Sequence, residues 1–206
     1  MDLTDTYNLL YNRFGPQHWW PGDTEYEIVL GAVLTQNTNW GNVEKAIGNL
    51  KQKGLLNPKG IMRAKKDALA QLIRPSGYYN QKAERLKAIT EWYMKFDRKM
   101  KTKELRKELL SIKGVGPETA DSILLYALGR PVFVIDAYTK RMCERHGVNL
   151  ETYDEYQKYF EGRLPRNARK YNEFHALIVR LGKDYCRKKP RCEGCPLENL
   201  KKEKRK

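Results

Sequence analysis

Four groups of residues in this chain are placed where they could do chemistry. Asp136 closes an apolar run, Val132 to Ile135, and opens a helical pattern. A carboxylate beside apolar residues costs several kcal/mol to bury unless it has partners, so Asp136 is either a helix N-cap or a reactive group. Gly114-Val115-Gly116 stands between two amphipathic stretches, with Pro117 opening the second. Glycines permit positive φ and close approach, and exposed amides at a helix start can hold a phosphate. Without context this is equally an ordinary αα-hairpin. Cys186, Cys192 and Cys195 crowd together near the C-terminus, a spacing that suggests metal. Trp19, Trp20 and Trp40 offer flat aromatic faces, although each is as readily core.

The elements that must position these groups are helical. Val43, Ile47 and Leu50 share one face, as do Leu86, Ile89, Tyr93 and Phe96, then Leu105, Leu109 and Ile112, and late in the chain Tyr171, Phe174, Ile178 and Leu181. No alternating run with hairpin turns appears. Turns are expected at Trp20 to Gly22, Pro75 to Gly77, Gly114 to Pro117 and Gly129 to Pro131. The fold class is all-α, built of short helices that pack on one another.

Composition narrows the partners. The 206 residues suffice for one substantial core or two small ones, and 40 Lys plus Arg against 25 Asp plus Glu leave a charge of +15. Such a surplus concentrates polyanions around the molecule, which makes nucleic acid the leading partner; charge alone does not separate this from a merely solubilising surface. The longest apolar runs, Ile28 to Leu34 and Ile123 to Leu128, fall far short of the roughly 20 residues of a membrane span. Met1 to Leu10 carries Asp2 and Asp5 and does not read as a secretory signal, so a cytoplasmic location is expected, nucleoid-associated in a prokaryote. Lys201 to Lys206 should be a solvated, fraying tail.

Several ordered motifs together are more specific than any one. LTQNT at Leu34 to Thr38, GYYNQKA at Gly77 to Ala83, LxxIKGVGPETA ending at Ala120 and VIDAYTKR ending at Arg141 resemble the endonuclease III superfamily of helix-hairpin-helix DNA glycosylases. The resemblance runs from the Trp19-Trp20-Pro21 region to Cys195. It implies two all-α domains: a six-helix domain near residues 21–133 holding the hairpin, and a second built from residues 1–20 and 134–206, with the active cleft between them. It also implies a monomer acting on double-stranded DNA that contains a damaged base. Asp136 takes the position of the catalytic aspartate, which stabilises the positive charge that builds on the sugar as the N-glycosidic bond breaks. Gln36 and Tyr78 fall where the family fills the gap left by a flipped nucleotide, and Gly114, Val115 and Gly116 where it holds a phosphate. Bifunctional members carry a nucleophilic lysine 18 residues before the aspartate; here that residue is Glu118, which cannot form a Schiff base.

WWP, GAVLTQNT and the RPSG-YYNQKA stretch are most similar to the bacterial 3-methyladenine glycosylase branch, which also carries Glu at the Glu118 position. That branch implies an alkylated purine as substrate and a base pocket formed by Trp19, Trp20, Trp40 and Lys183. Endonuclease III relatives often bind a [4Fe-4S] cluster with four cysteines. Here Cys186, Cys192 and Cys195 match three, Lys201 stands at the fourth, and Cys143 reads as core. An incomplete [4Fe-4S] site, a zinc site and an unligated remnant all stay open. Three other functions stay open with them: a bifunctional glycosylase/lyase, a mismatch thymine or uracil glycosylase, and a DNA-binding hairpin module without catalysis.

Overall fold

The helices begin where the sequence supplies a cap. Asp2, Thr24, Asn39, Asn57, Asp136, Thr152 and Asn167 each accept, through a side-chain oxygen, the amide three residues on. Each such cap is worth about 1 kcal/mol to its helix. The computed structural model describes residues 1–19 and 22–200; the expected turn at Trp20 to Gly22 and the Lys201 to Lys206 tail lie wholly or partly outside it. The described residues form helices joined by turns, with no strand among them, and divide into two compact units.

Residues 20–130 make one unit. Its central element is α2 (Glu25–Leu34), in which Tyr26 to Gly31 and Val33 to Leu34 are buried. A helix apolar all round belongs inside a core. Around it stand α3 (Trp40–Gln52), α4 (Pro58–Arg63), α5 (Lys66–Leu72), a 3₁₀ turn (Arg74–Ser76), α6 (Tyr79–Lys95), α7 (Thr102–Ser111) and α8 (Pro117–Ser122). The stripe Val43, Ile47, Leu50 is buried, as are Leu86 and Ile89, whereas Tyr93 and Phe96, at the end of α6, are only half-buried. α7 and α8 form the helix hairpin. Arg106 Nε and Nη2 hold the two oxygens of buried Asp121 at 2.8 and 3.1 Å, clamping one helix to the other.

Two details of the hairpin depart from expectation. Only Gly114 has positive φ, +86°; Gly116 is extended at φ −93°, so its backbone demands no glycine. And α8 does not continue as an α-helix: Ile123–Ala127 is a π turn, with the Leu128 amide donating to the Ile123 carbonyl at 3.1 Å. Such turns recur at functional sites.

Residues 1–19 with 131–206 make the other unit. It holds α1 (Leu3–Phe14), α9 (Ala137–Arg145), α10 (Tyr153–Glu161) and α11 (Ala168–Asp184), with α11 packed on both α1 and α9. Its core is aromatic: Phe133 stacks on Phe160 at 4.2 Å and meets Tyr171 and Phe174 edge-on. Gly182 lets Tyr138 lie against α11, since any Cβ there would overlap its ring. No helix among the described residues is long and apolar enough to cross a membrane.

Candidate active site

Asp136 is delivered by the buried run Val132 to Ile135, whose peptide groups are held by side chains of α10. The Phe133 amide donates to Glu161 Oε1 (2.8 Å), the Phe133 carbonyl accepts from Gln157 Nε2 (2.8 Å), and the Ile135 amide donates to the Tyr153 hydroxyl (3.2 Å). Non-helical backbone inside a core needs such partners. The Asp136 side chain, 13 % exposed, then splits its oxygens: Oδ1 accepts the Thr139 amide at 2.7 Å, capping α9, while Oδ2 lies 3.5 Å from His175 Nε2. Capping and reactivity are therefore not alternatives, because the cap occupies one oxygen. Burial pushes the carboxyl up, but His175 and the Thr139 bond outweigh it and hold the group below the ordinary aspartate value. The arrangement is a carboxylate kept charged in a largely dry setting, suited to meeting positive charge on a reacting sugar.

In the same unit Trp19 stacks on the His175 ring, centroids 5.7 Å apart and planes 12° from parallel, so one face of this expected pocket residue is covered. Lys183 is exposed in the last turn of α11, and Trp20 lies outside the described residues.

In the other unit the structure gathers Gln36, the hairpin turn and Tyr78. Gln36 does not project freely as a gap-filling residue would. Its Nε2 donates to the Gly114 carbonyl and Thr119 Oγ1, both at 2.9 Å, and its Oε1 accepts from Arg85 Nη1 at 2.6 Å. Arg85 also lies over Gly114, so a Cβ there would have to displace the guanidinium and would be strained at φ +86°. Tyr78, by contrast, is 64 % exposed and sits in the left-handed region at φ +47°. Behind it, wholly buried Lys82 donates to the Leu34 carbonyl (2.8 Å) and the Ser76 carbonyl (2.6 Å), tying the end of α2 to the turn before Tyr78. Burial pushes the Lys82 ammonium down to about 8, with Arg85 adding to the effect. Trp40, the first residue of α3, is half-buried, and Glu118 is exposed in the first turn of α8.

The non-glycine residues with positive φ among the described ones are His18, Asn37 and Tyr78. Each is, or adjoins, a residue singled out for function: Trp19, Gln36 and Tyr78 itself. Strain of this kind, about 1–3 kcal/mol per residue, collects at functional sites.

The three C-terminal cysteines lie near one another, Cys195 feeling both Cys186 and Cys192, with the Cys195 amide donating to the Cys192 carbonyl at 2.9 Å. Cys186 is buried, Cys195 half-buried and Cys192 exposed, and no group of three or more His, Cys, Asp or Glu among the described residues converges as ligands would. The Cys186 sulfur instead accepts from Arg145 Nη1 at 3.1 Å, while the same guanidinium donates to the carbonyls of Arg187 and Lys188 and Arg141 donates to that of Cys186. Arginines hold this loop. Lys201, at the fourth cysteine position, lies outside the described residues, and Cys143 is buried in α9.

The sequence reading missed His175, Arg85, Lys82 and Arg145. A histidine on the buried stripe of α11 was the one available signal among them.

An all-helical chain in which a glycine-turned helix hairpin is followed by a capped, charge-stabilised aspartate defines the class of helix-hairpin-helix DNA repair folds. Residues 30–166 match the HhH-GPD superfamily of base excision DNA repair proteins, and the chain belongs to that family. It is 52 % identical over 204 residues to a candidate DNA repair glycosylase of Methanocaldococcus jannaschii, covering 94 % of this chain and 93 % of that one. It is 30 % identical to Thermotoga maritima endonuclease III, over 84 % and 81 % of the two chains. Among solved structures it resembles the Helicobacter pylori 3-methyladenine DNA glycosylase bound to 1,N6-ethenoadenine, at TM-score 0.78, 34 % identity and coverage of 89 % and 98 %. An endonuclease III–DNA complex shares the fold at TM-score 0.82 and 23 % identity, over 97 % and 94 %.

Proposed function

We propose that this family member is a monofunctional DNA glycosylase that hydrolyses the N-glycosidic bond of an alkylated purine such as 3-methyladenine, acting as a monomer on double-stranded DNA. The observation that carries the proposal is Asp136, held charged in a mostly buried position with one oxygen committed to the α9 cap. The bond electrons leave with the base, positive charge gathers on the sugar, and the carboxylate opposes that charge until water adds at the anomeric carbon. An alkylated purine is already electron-poor, so its departure needs little general acid help and profits from an aromatic slot. Trp19, Trp20, Trp40 and Lys183 are the proposed contacts to the base. The similarity to a 3-methyladenine glycosylase favours the same substrate class.

Strand cleavage requires an amine that attacks the sugar, and the position from which the family supplies it holds Glu118. Glutamate has no such nucleophile, which favours release of the base without a covalent intermediate. The hairpin turn, Gly114 to Gly116, is the proposed phosphate contact, and exposed Tyr78 the proposed wedge.

Duplexes carrying an alkylated purine, an oxidised pyrimidine, a G·T or G·U mismatch, or no lesion test the proposal together. Alkali-revealed breaks should appear with the alkylated purine, the strand should remain intact before alkali, and borohydride should trap no protein–DNA adduct. Breaks without alkali, or a strong adduct, would make the enzyme a lyase. Absence of release from every duplex would leave a DNA-binding module.

A further inference from the structure

His175 stands on the buried face of α11 between Tyr171 and Phe174 on one side and Ile178 on the other, with its side chain only 5 % exposed. A polar ring in such a place is costly unless its nitrogens are used. Its orientation is fixed from two directions: Trp19 lies flat against it at 5.7 Å, and Phe133 meets it edge-on at 6.5 Å and 77°. The ring so clamped brings Nε2 to 3.5 Å from Asp136 Oδ2. The Thr139 amide holds the other oxygen, so the two contacts together define the plane of the carboxylate.

Resting on the reading of Asp136 as the group that meets the sugar, we infer that His175 is a positioning residue for Asp136, its clamped ring fixing the direction of Oδ2. From the 131–136 segment the ring faces Asp136, and from the 15–19 segment it faces the Trp19 indole. Tyr171 lies one turn away on α11. Glu173 is directed at the Gln17 amide (2.7 Å), and on α9 Arg141 is directed at the Cys186 carbonyl (2.7 Å). Without His175 the burial of Asp136 would be opposed by the amide and side chain of Thr139 alone, and the protonated acid, which cannot stabilise positive charge, would gain.

The test uses His175→Gln, which keeps a hydrogen-bonding tip without the imidazole, and His175→Phe, which keeps a flat ring without the nitrogens. The titration of the Asp136 carboxyl is followed by carbon NMR, with Asp136→Asn identifying its signal. In parallel, single-turnover base release from duplex DNA treated with a methylating agent is measured against pH. Both His175 variants should raise the Asp136 titration by at least tenfold in proton affinity and move the acid limb of the rate profile with it. His175→Gln should approach the wild-type rate on the alkaline side, and His175→Phe should not. An unmoved carboxyl titration in either folded variant overturns the inference, and His175→Gln alone suffices if His175→Phe does not fold. If Asp136→Asn turns over normally, the reading of Asp136 falls, while the NMR titration still decides whether His175 governs the carboxyl.

Discussion

Asp136→Asn should slow base release by about 10²–10³-fold, the usual cost of removing one electrostatic contact to a transition state, and leave binding of duplex DNA within about twofold. The substitution suits the test because asparagine keeps an oxygen for the Thr139 amide, so the cap on α9 survives and the fold with it. What is lost is the negative charge beside His175. Single-turnover release measured beside equilibrium binding separates the two effects, and near-normal turnover would remove Asp136 from the mechanism. The variant should also change the acid response of the fold. The folded chain holds this carboxyl below its ordinary value of 3.8, so its ionisation contributes stability above roughly pH 4 that is lost as pH falls through the lower, folded value. Asp136→Asn should lack that part of the acid slope, which denaturant titrations carried from about pH 5 downward would read.

Lys82→Met should cost about 2–4 kcal/mol of stability, since each buried carbonyl left without a donor costs about 1–3 kcal/mol. The volume is nearly conserved, so the loss reports the Leu34 and Ser76 carbonyls rather than a cavity. Removal of a buried charge works in the opposite direction and keeps the estimate from being larger. The urea midpoint should fall with the slope unchanged. A loss below about 0.5 kcal/mol would mean that water or a rearranged backbone satisfies those carbonyls. Because Leu34 precedes Gln36 by two residues and Ser76 precedes Tyr78 by two, the folded variant should also bind DNA more weakly under the proposed function.

The sequence made the helical class legible because the apolar stripes and the caps obey local rules. Val43, Ile47 and Leu50 recur at helical spacing and are buried, and Pro117 starts a helix where its missing amide does no harm. What it concealed depends on distant partners. The π turn at Ile123–Ala127 has no residue signature; it packs on α2, a partner distant in sequence. Lys82 reads as a surface lysine until two carbonyls 48 and 6 residues away are seen to converge on it. Gln36 matched a residue that enters DNA, yet its amide is engaged by Gly114, Thr119 and Arg85. Cysteine spacing suggested ligands and could not reveal that Arg145 lies against Cys186. His175 was hidden for a different reason: a single histidine on an apolar stripe carries no pattern until its neighbour is known to be Asp136.

The left-handed backbone at His18, Asn37 and Tyr78 has a consequence for the thermodynamics of association. A segment locked into a rare conformation before it meets a ligand has little disorder left to surrender on contact, so more of each favourable interaction appears as affinity. Glycine at 37 or 78 would relieve the torsional penalty, but it would also widen the ensemble sampled by the free chain. In the proposed encounter with a duplex, such a variant would have to order the segment at every binding event, and its association would carry a larger unfavourable entropy.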